Sequence, residues 1–298
     1  MSLHRIAVIA GDGIGKEVVP AAISCLERVA ELHSLKLEFT HLDWGSDYYL
    51  KQGSMMPADG LQQLALHDAI FLGAVGSPEV PDAETLWGLL IPIRREFQQY
   101  INLRPVKTST VLHHLWPAST RSTSSSCART TKGIFRSRRP DVPRSPTGVR
   151  SPGSHLHPPR VSRAAHYAAS LAASRRGRLT SATKSNGIVH TMPFWDEIVA
   201  ETVSLHPDVA LTTEHVDALA AHLVLRPWTL DVIVASNLFG DILSDLAAAV
   251  TGSIGLAPSA NLNPEGQYPS LFEPIHGSAP DIAGKGLANP VGQLWSGR

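Results

Sequence analysis

This 298-residue chain has little cysteine, few aromatic residues and no surplus of either charge. Its two cysteines, Cys25 and Cys127, offer no disulfide framework, which excludes the stapled secreted class and makes a reducing cytoplasm the natural setting. No apolar run reaches the roughly 18 residues that mark a membrane span. The apolar stretch at 6–10 is too short for a signal-peptide core and lacks a cleavage site, so it reads as a first strand. What the chain does have is 43% hydrophobic content, enough at this length to bury two cores.

The formal net charge of zero is an average of two unlike parts. Residues 108–163 hold ten Lys/Arg and a single acid, Asp141, leaving 16 basic against 25 acidic residues elsewhere. Ser, Thr, Pro and Arg dominate this window, and no apolar period of 2 or 3.6 runs through it, which reads as disorder or a linker. Compact enzymes rarely contain a structureless stretch of that length.

Outside the window, strand and helix signals alternate. A buried strand at 6–10 is followed by a turn at 11–15 and a helix at 17–32 with apolar Val18, Val19, Ile23, Leu26 and Ala30. A second strand is expected at 69–72, a helix at 86–97, and a strand at 231–236 that feeds another helix. The pattern predicts an α/β fold with helices against a largely parallel sheet. The turn GDGIG (11–15) is not a Rossmann fingerprint, because Val18 stands at the third glycine position; by itself it is a tight turn.

The segment DVIVASNLFGDILSD (231–245) is the most informative in the chain. Asp241 and Asp245 lie one helical turn apart on one face, just beyond the end of a strand. Two hard oxygen donors there can hold a divalent cation in a cleft, although an isolated pair of this kind is more often a solvated face.

Several long blocks occur in a fixed order: IAVIAGDGIGKEVVPAA (6–22), LWGLLIPIRREFQQYINLRPV (86–106), LTSATKSNG (179–187), DVIVASNLFGDILSD (231–245), GLAPSANLNP (255–264) and SLFEPIHGSAPDIAGKGLANPVGQLWSG (270–297). In these the chain resembles the β-decarboxylating dehydrogenases, the family of isocitrate and isopropylmalate dehydrogenases, and within it the tartrate/D-malate branch. The likeness covers 1–107 and about 165–298. It implies a two-domain isocitrate/isopropylmalate dehydrogenase-like α/β fold, distinct from Rossmann. A cofactor-side domain would comprise 1–99 plus 251–298, and a dimerisation and metal domain 100–250. The family continues for several helices beyond Arg298, so the fold is expected to be incomplete in this chain.

The resemblance also assigns chemistry. Arg94 and Arg104 match the family's substrate arginines, whose planar forks suit carboxylates, whereas Arg95 lies on another helical face. Lys184 matches the catalytic lysine that takes the hydroxyl proton, and Asn186 orients substrate or nicotinamide. Asp217, on a separate helix, joins Asp241 and Asp245 as a metal ligand by reaching across the interface of a homodimer. His215 beside it reads as a surface residue. Three carboxylates with open positions suit Mg²⁺ or Mn²⁺, and the family's chemistry leaves room for K⁺ as well. NAD would lie along EPIHGSAPD (273–281), with Glu273, His276, Gly277, Ala279, Asp281 and Asn289 as its contacts; the GDGIG loop lies beside the cofactor. The implied substrate is a small 2-hydroxy dicarboxylic acid. LWG at 86–88 points to oxidation of tartrate to oxaloglycolate and oxidative decarboxylation of D-malate to pyruvate, with meso-tartrate to D-glycerate as a further reaction of the branch.

The window departs from this pattern. Reading the third base of each permitted codon for HHLWPASTRSTSSSCARTTKG (113–133) with the first two bases of the next can yield SPLAGIDPVDFVVVRENNEG, the family's continuation after LRPV. In the other shifted frame, read one base on, LHPPR (156–160) can yield FTRR. We therefore read the window as frame-shifted. The family's third substrate arginine and its proton-donating tyrosine belong to the replaced R-E-N-x-E-G-x-Y segment; Arg129 and Phe135 do not take over those roles, and the segment's buried strand is expected to be lost. On these grounds the chain as written is expected to be an inactive member or an inactive subunit. A separate reading takes 121–178 as a basic arm for nucleic acid or anionic surfaces. With Phe135 and Tyr167 its only aromatics and no regular basic helix, the segment does not fit, and neither a nucleic acid nor a membrane is an expected partner.

Overall fold

The computed structural model describes residues 3–107, 124–130 and 156–297, with 124–130 as backbone. Ten strands form one mixed sheet: β1 (Leu3–Gly11), β2 (Lys36–His41), β3 (Ala69–Ala74), β4 (Ile101–Lys107), β5 (Ser124–Thr130), β6 (Arg178–Thr183), β7 (Ala210–His215), β8 (Val232–Ala235), β9 (Pro258–Leu262) and β10 (Ser270–Pro274). Their spatial order is β2-β1-β3-β10-β9-β4-β5-β8-β6-β7. The helices are α1 (Gly15–Leu32), α2 (Ser46–Gln52), α3 (Gly60–Leu64), α4 (Asp82–Thr85), α5 (Ile91–Glu96), α6 (Pro158–Ala173), α7 (Met192–Ser204), α8 (Val216–Leu225), α9 (Asn237–Val250) and α10 (Val291–Ser296). A π-helical turn, Leu86–Leu90, leads directly into α5.

The sheet is less parallel than its sequence pattern predicts. Its two flanks are parallel, but in the middle β10 pairs antiparallel with β9, β9 with β4, and β4 with β5. Residues 263–269 are too few for a crossover helix, so β9 and β10 can only form a hairpin. Burial follows the expected apolar positions. Trp44, Leu64, Ile70, Leu72, Leu89, Ile93 and Phe97 cluster on one side of the first flank, while Val19, Ala22 and Ile23 of α1 pack against Val8 and Phe71. The second flank has a larger core of Trp195, Val199, Leu219, Val232, Val234 and Leu243, lined by the alanine face of α6.

One expectation is overturned. The family's central strand is not lost: β5 runs antiparallel to β4, with Arg104 opposite Cys127, and parallel to β8, with Arg129 opposite Ala235. Its composition, SSSCART, has none of the β-branched apolar character of a buried strand. The slot decides instead: β4 and β8 each present a row of backbone donors and acceptors that a strand between them pairs, and backbone pairing needs no particular side chain. The window is not uniformly without structure either, since α6 begins at Pro158, inside it. The rest of the window, with Asp141 and Phe135, lies outside the described residues.

Candidate active site

Two loops meet at the ends of β1 and β10. Gly11 and Gly13 of GDGIG have φ of 69° and 50°, and a Cβ on either would come within 2.0 Å of a backbone carbonyl, that of Ala74 or Ser278. Glycine is required at both by φ and by space. Asp12, 3% exposed, ties the turn down: its carboxylate accepts from the Ser46 amide (2.8 Å), the Ser46 hydroxyl (2.7 Å) and the Gly76 amide (2.8 Å). The Ile14 amide donates to Ser278 O at 2.9 Å, joining this turn to the 273–281 loop. The turn is thus both a tight structural corner and the neighbour of the proposed cofactor loop.

Within that loop the His276 Nδ1–H donates to Gly277 O at 3.0 Å, so the buried Nε2, which has no partner, is a bare acceptor in the neutral ring. Burial holds this imidazole below its ordinary pKa, and the Gly277 hydrogen bond only partly offsets that. Gly277 has open space where a Cβ would stand, and Ala279 adopts φ 40°. Asp281 and Asn289 are exposed, and Asn289 Oδ1 accepts from the Val291 amide at the start of α10 (3.0 Å).

Glu273 turns away from this surface into a buried polar chain that the sequence reading missed. Its Oε1 accepts from Arg94 Nη2 at 2.7 Å and from Asn261 Nδ2 at 2.6 Å. Asn261 Oδ1 accepts from Asn102 Nδ2 (2.8 Å), and Asn102 Oδ1 accepts from Arg104 Nε (2.9 Å). Both asparagines are fully buried. The two sequence-assigned substrate arginines, on α5 and β4, are therefore the ends of one continuous relay. Beyond it, Arg104 Nη2 lies 3.0 Å from Asp241 Oδ1, and Nη1 lies 2.7 Å from Ser244 Oγ and 3.2 Å from Asp245 Oδ1. Asp241 and Asp245 are in the second and third turns of α9, about half exposed, and held on the face that Arg104 meets.

Lys184 and Asp217 form a separate pair. Lys184 Nζ, in the turn after β6, donates to Asp217 Oδ1 at 2.8 Å, and this hydrogen bond is the main cause of the low pKa of the Asp217 carboxyl. Asn186 is exposed two residues further on. His215, expected on the surface, is half-buried just before α8. Among the described residues no three His, Cys, Asp or Glu side chains come together as a metal site, so Asp217 does not join Asp241 and Asp245 within one chain.

A family model described as isocitrate/isopropylmalate dehydrogenase matches residues 5–298. The chain belongs to this family. It is 48% identical to the probable tartrate dehydrogenase/decarboxylase of Bacillus subtilis over 305 residues, covering 100% of this chain and 85% of that protein. It is 46% identical to the decarboxylating D-malate dehydrogenase of Escherichia coli over 314 residues, covering 100% of this chain and 84% of the relative. Its fold superimposes on isocitrate dehydrogenase from Methylococcus capsulatus with a TM-score of 0.84 at 27% identity, over 99% of this chain and 84% of the other.

For this isocitrate/isopropylmalate dehydrogenase family member, the positions missed from sequence are Asn102, Asn261, Ser244 and Asp12. A signal for them existed: asparagine within the apolar strand segments NLRPV and SANLN is out of place unless it is bonded.

Proposed function

We propose that the chain carries the site of an NAD- and metal-dependent dehydrogenase of small 2-hydroxy dicarboxylic acids, of the tartrate and D-malate kind. The observation that carries this reading is the relay from Arg94 to Arg104, because it fixes two guanidinium forks in one frame beside two half-exposed carboxylates. Two cations so fixed can grip the two carboxylates of a dicarboxylic acid. Asp241 and Asp245 offer oxygen donors of the type that Mg²⁺ or Mn²⁺ takes. The chemistry a bound ion supplies is Lewis-acid polarisation of the hydroxyl and stabilisation of the charge left on loss of CO₂. Lys184 accepts the hydroxyl proton at Nζ; the ionised Asp217 beside it orients the amine. The open space at Gly277 suits the close approach of an adenine or its ribose.

Lys184 with Asp217 and Arg104 with Asp241 and Asp245 are two half-sites, which a homodimer would bring together. The exposed apolar side chains Leu238 and Ile242 on α9, and Ile188 and Val189 beyond the Lys184 turn, give such a dimer an apolar face. In this arrangement 1–99 with 251–298 forms the cofactor-side lobe and 100–250 the dimer lobe. A cytoplasmic setting accords with this reading; among the described residues no helix is long and apolar enough to cross a membrane.

A specific observation favours loss of turnover in the chain as written. CARTTKGIF stands where the family has its third arginine and its proton-donating tyrosine. The test compares this chain with one in which the family reading frame is restored across 108–163, so that both the third arginine and the tyrosine return. With Mn²⁺ and NAD⁺, the restored chain should form NADH from tartrate or D-malate and the present chain should not. A restored, folded chain that oxidises neither acid overturns the assignment, and turnover by the present chain overturns the inactive-member reading.

A further inference from the structure

The first half of α6 carries Arg160 and Arg163, which share a helical face at a spacing of three. Arg163 stacks over the ring of Tyr100, its guanidinium carbon 4.1 Å from the centroid. The Tyr100 hydroxyl in turn donates to Glu265 Oε1 at 2.7 Å, so the carboxylate at this corner is engaged by the phenol rather than by the guanidinium. Arg160 Nη1 and Arg163 Nε are buried with no hydrogen-bond partner. Among the described residues no carboxylate is ion-paired with either arginine. A third guanidinium, Arg95 at the end of α5, lies 5.0 Å from the ring centroid of Trp87. Burial, then Arg163, then Arg95 lower the pKa of Arg160.

Buried charged donors without acceptors are costly, and like charges gathered at one corner add repulsion. Both costs are relieved by an anion with several acceptor oxygens, for which guanidinium forks are the usual receptors. Arg94, next in sequence to Arg95, points elsewhere, to Glu273. We propose that Arg160 and Arg163 form a second anion site, separate from the Arg94–Arg104 relay, that takes a small polyvalent oxyanion of the phosphate or polycarboxylate type. Bound there, the anion braces the first half of α6 beside Tyr100, just before β4. The inference does not rest on the dehydrogenase reading, and no turnover is needed to test it.

The test uses the full chain. Thermal unfolding is followed in inorganic phosphate, in citrate, and in chloride at matched ionic strength. The midpoint should rise in phosphate or citrate over chloride, the more effective ion identifying the chemical source, and the rise should vanish in Arg160→Gln/Arg163→Gln. Equal midpoints in all three salts, or an undiminished rise in the folded double variant, overturn the proposal. Should the variant not fold, arginine modification by phenylglyoxal with peptide mapping decides on the unaltered chain. With anion at about ten times its Kd, Arg160 and Arg163 should react about tenfold more slowly. The exposed Arg28 should react at an unchanged rate. No selective protection of Arg160 and Arg163 overturns the proposal.

Discussion

Replacing Arg104 with Met should destabilise the protein by about 2–3 kcal/mol, most of it lost inside the relay rather than at the exposed acids. Arg104 is 8% exposed, and Met keeps its length and apolar stem while removing every donor. The fully buried Asn102 Oδ1 then loses the Nε–H that it accepts at 2.9 Å, and a stranded buried acceptor costs about 1–3 kcal/mol. Ser244 suffers less, because its hydroxyl still donates to Asp241 O at 3.0 Å. The carboxylates of Asp241 and Asp245 are 54% and 51% exposed, so together these screened pairs add no more than about 1 kcal/mol. Urea unfolding followed by tryptophan fluorescence reads the change as a shift in midpoint at constant slope. A double-mutant cycle isolates the relay: Asn102→Ala should cost less in the Arg104→Met background than in the parent. A loss below about 1 kcal/mol, or strictly additive effects of the two changes, would refute the claim that the guanidinium satisfies a buried network.

Further outcomes follow from the same geometry. Asn261→Leu breaks the chain between Glu273 and Asn102, and in an active restored enzyme it should raise the KM for dicarboxylate at least about tenfold through misplaced arginines, with NAD⁺ affinity nearly unchanged; an unaltered KM counts against the relay as a positioning device. Asp241→Asn in that restored enzyme should abolish metal-dependent turnover and leave the circular dichroism spectrum intact, and turnover that persists without added Mn²⁺ or Mg²⁺ would sink the metal assignment. His276 has a lowered pKa because it is buried, so the unfolded chain binds its proton more tightly and stability falls as pH drops from about 6.5 through the folded value. His276→Gln should flatten that part of the stability profile; an unchanged profile would contradict the assignment. Asp217 has its pKa lowered chiefly by the hydrogen bond from Lys184, so its contribution to stability is lost as pH falls through the folded value, and Lys184→Met should flatten that acid limb of the urea-unfolding profile.

The sequence by itself determined the elements whose signal is carried by neighbouring residues. The apolar run at 231–236 followed by a helical period placed Asp241 and Asp245 on one face beyond a strand, as β8 and α9 do. Glycines in GDGIG, and glycine with proline in EPIHGSAPD, marked the two loops, although their bond from Ile14 to Ser278 could not be read locally. Tertiary structure decided what depends on strand order. Arg94 and Glu273 lie 179 residues apart, and Asn102 and Asn261 lie 159 apart; only the adjacency of β10, β9 and β4 turns them into a relay. The same is true of β5, where Ser, Cys, Ala and Arg give no strand signal, yet the gap between β4 and β8 is filled by pairing that any backbone can make. Local periodicity records which face of an element is buried, whereas the partners of a buried polar group are set by neighbours distant in sequence, and no spacing along the chain specifies them.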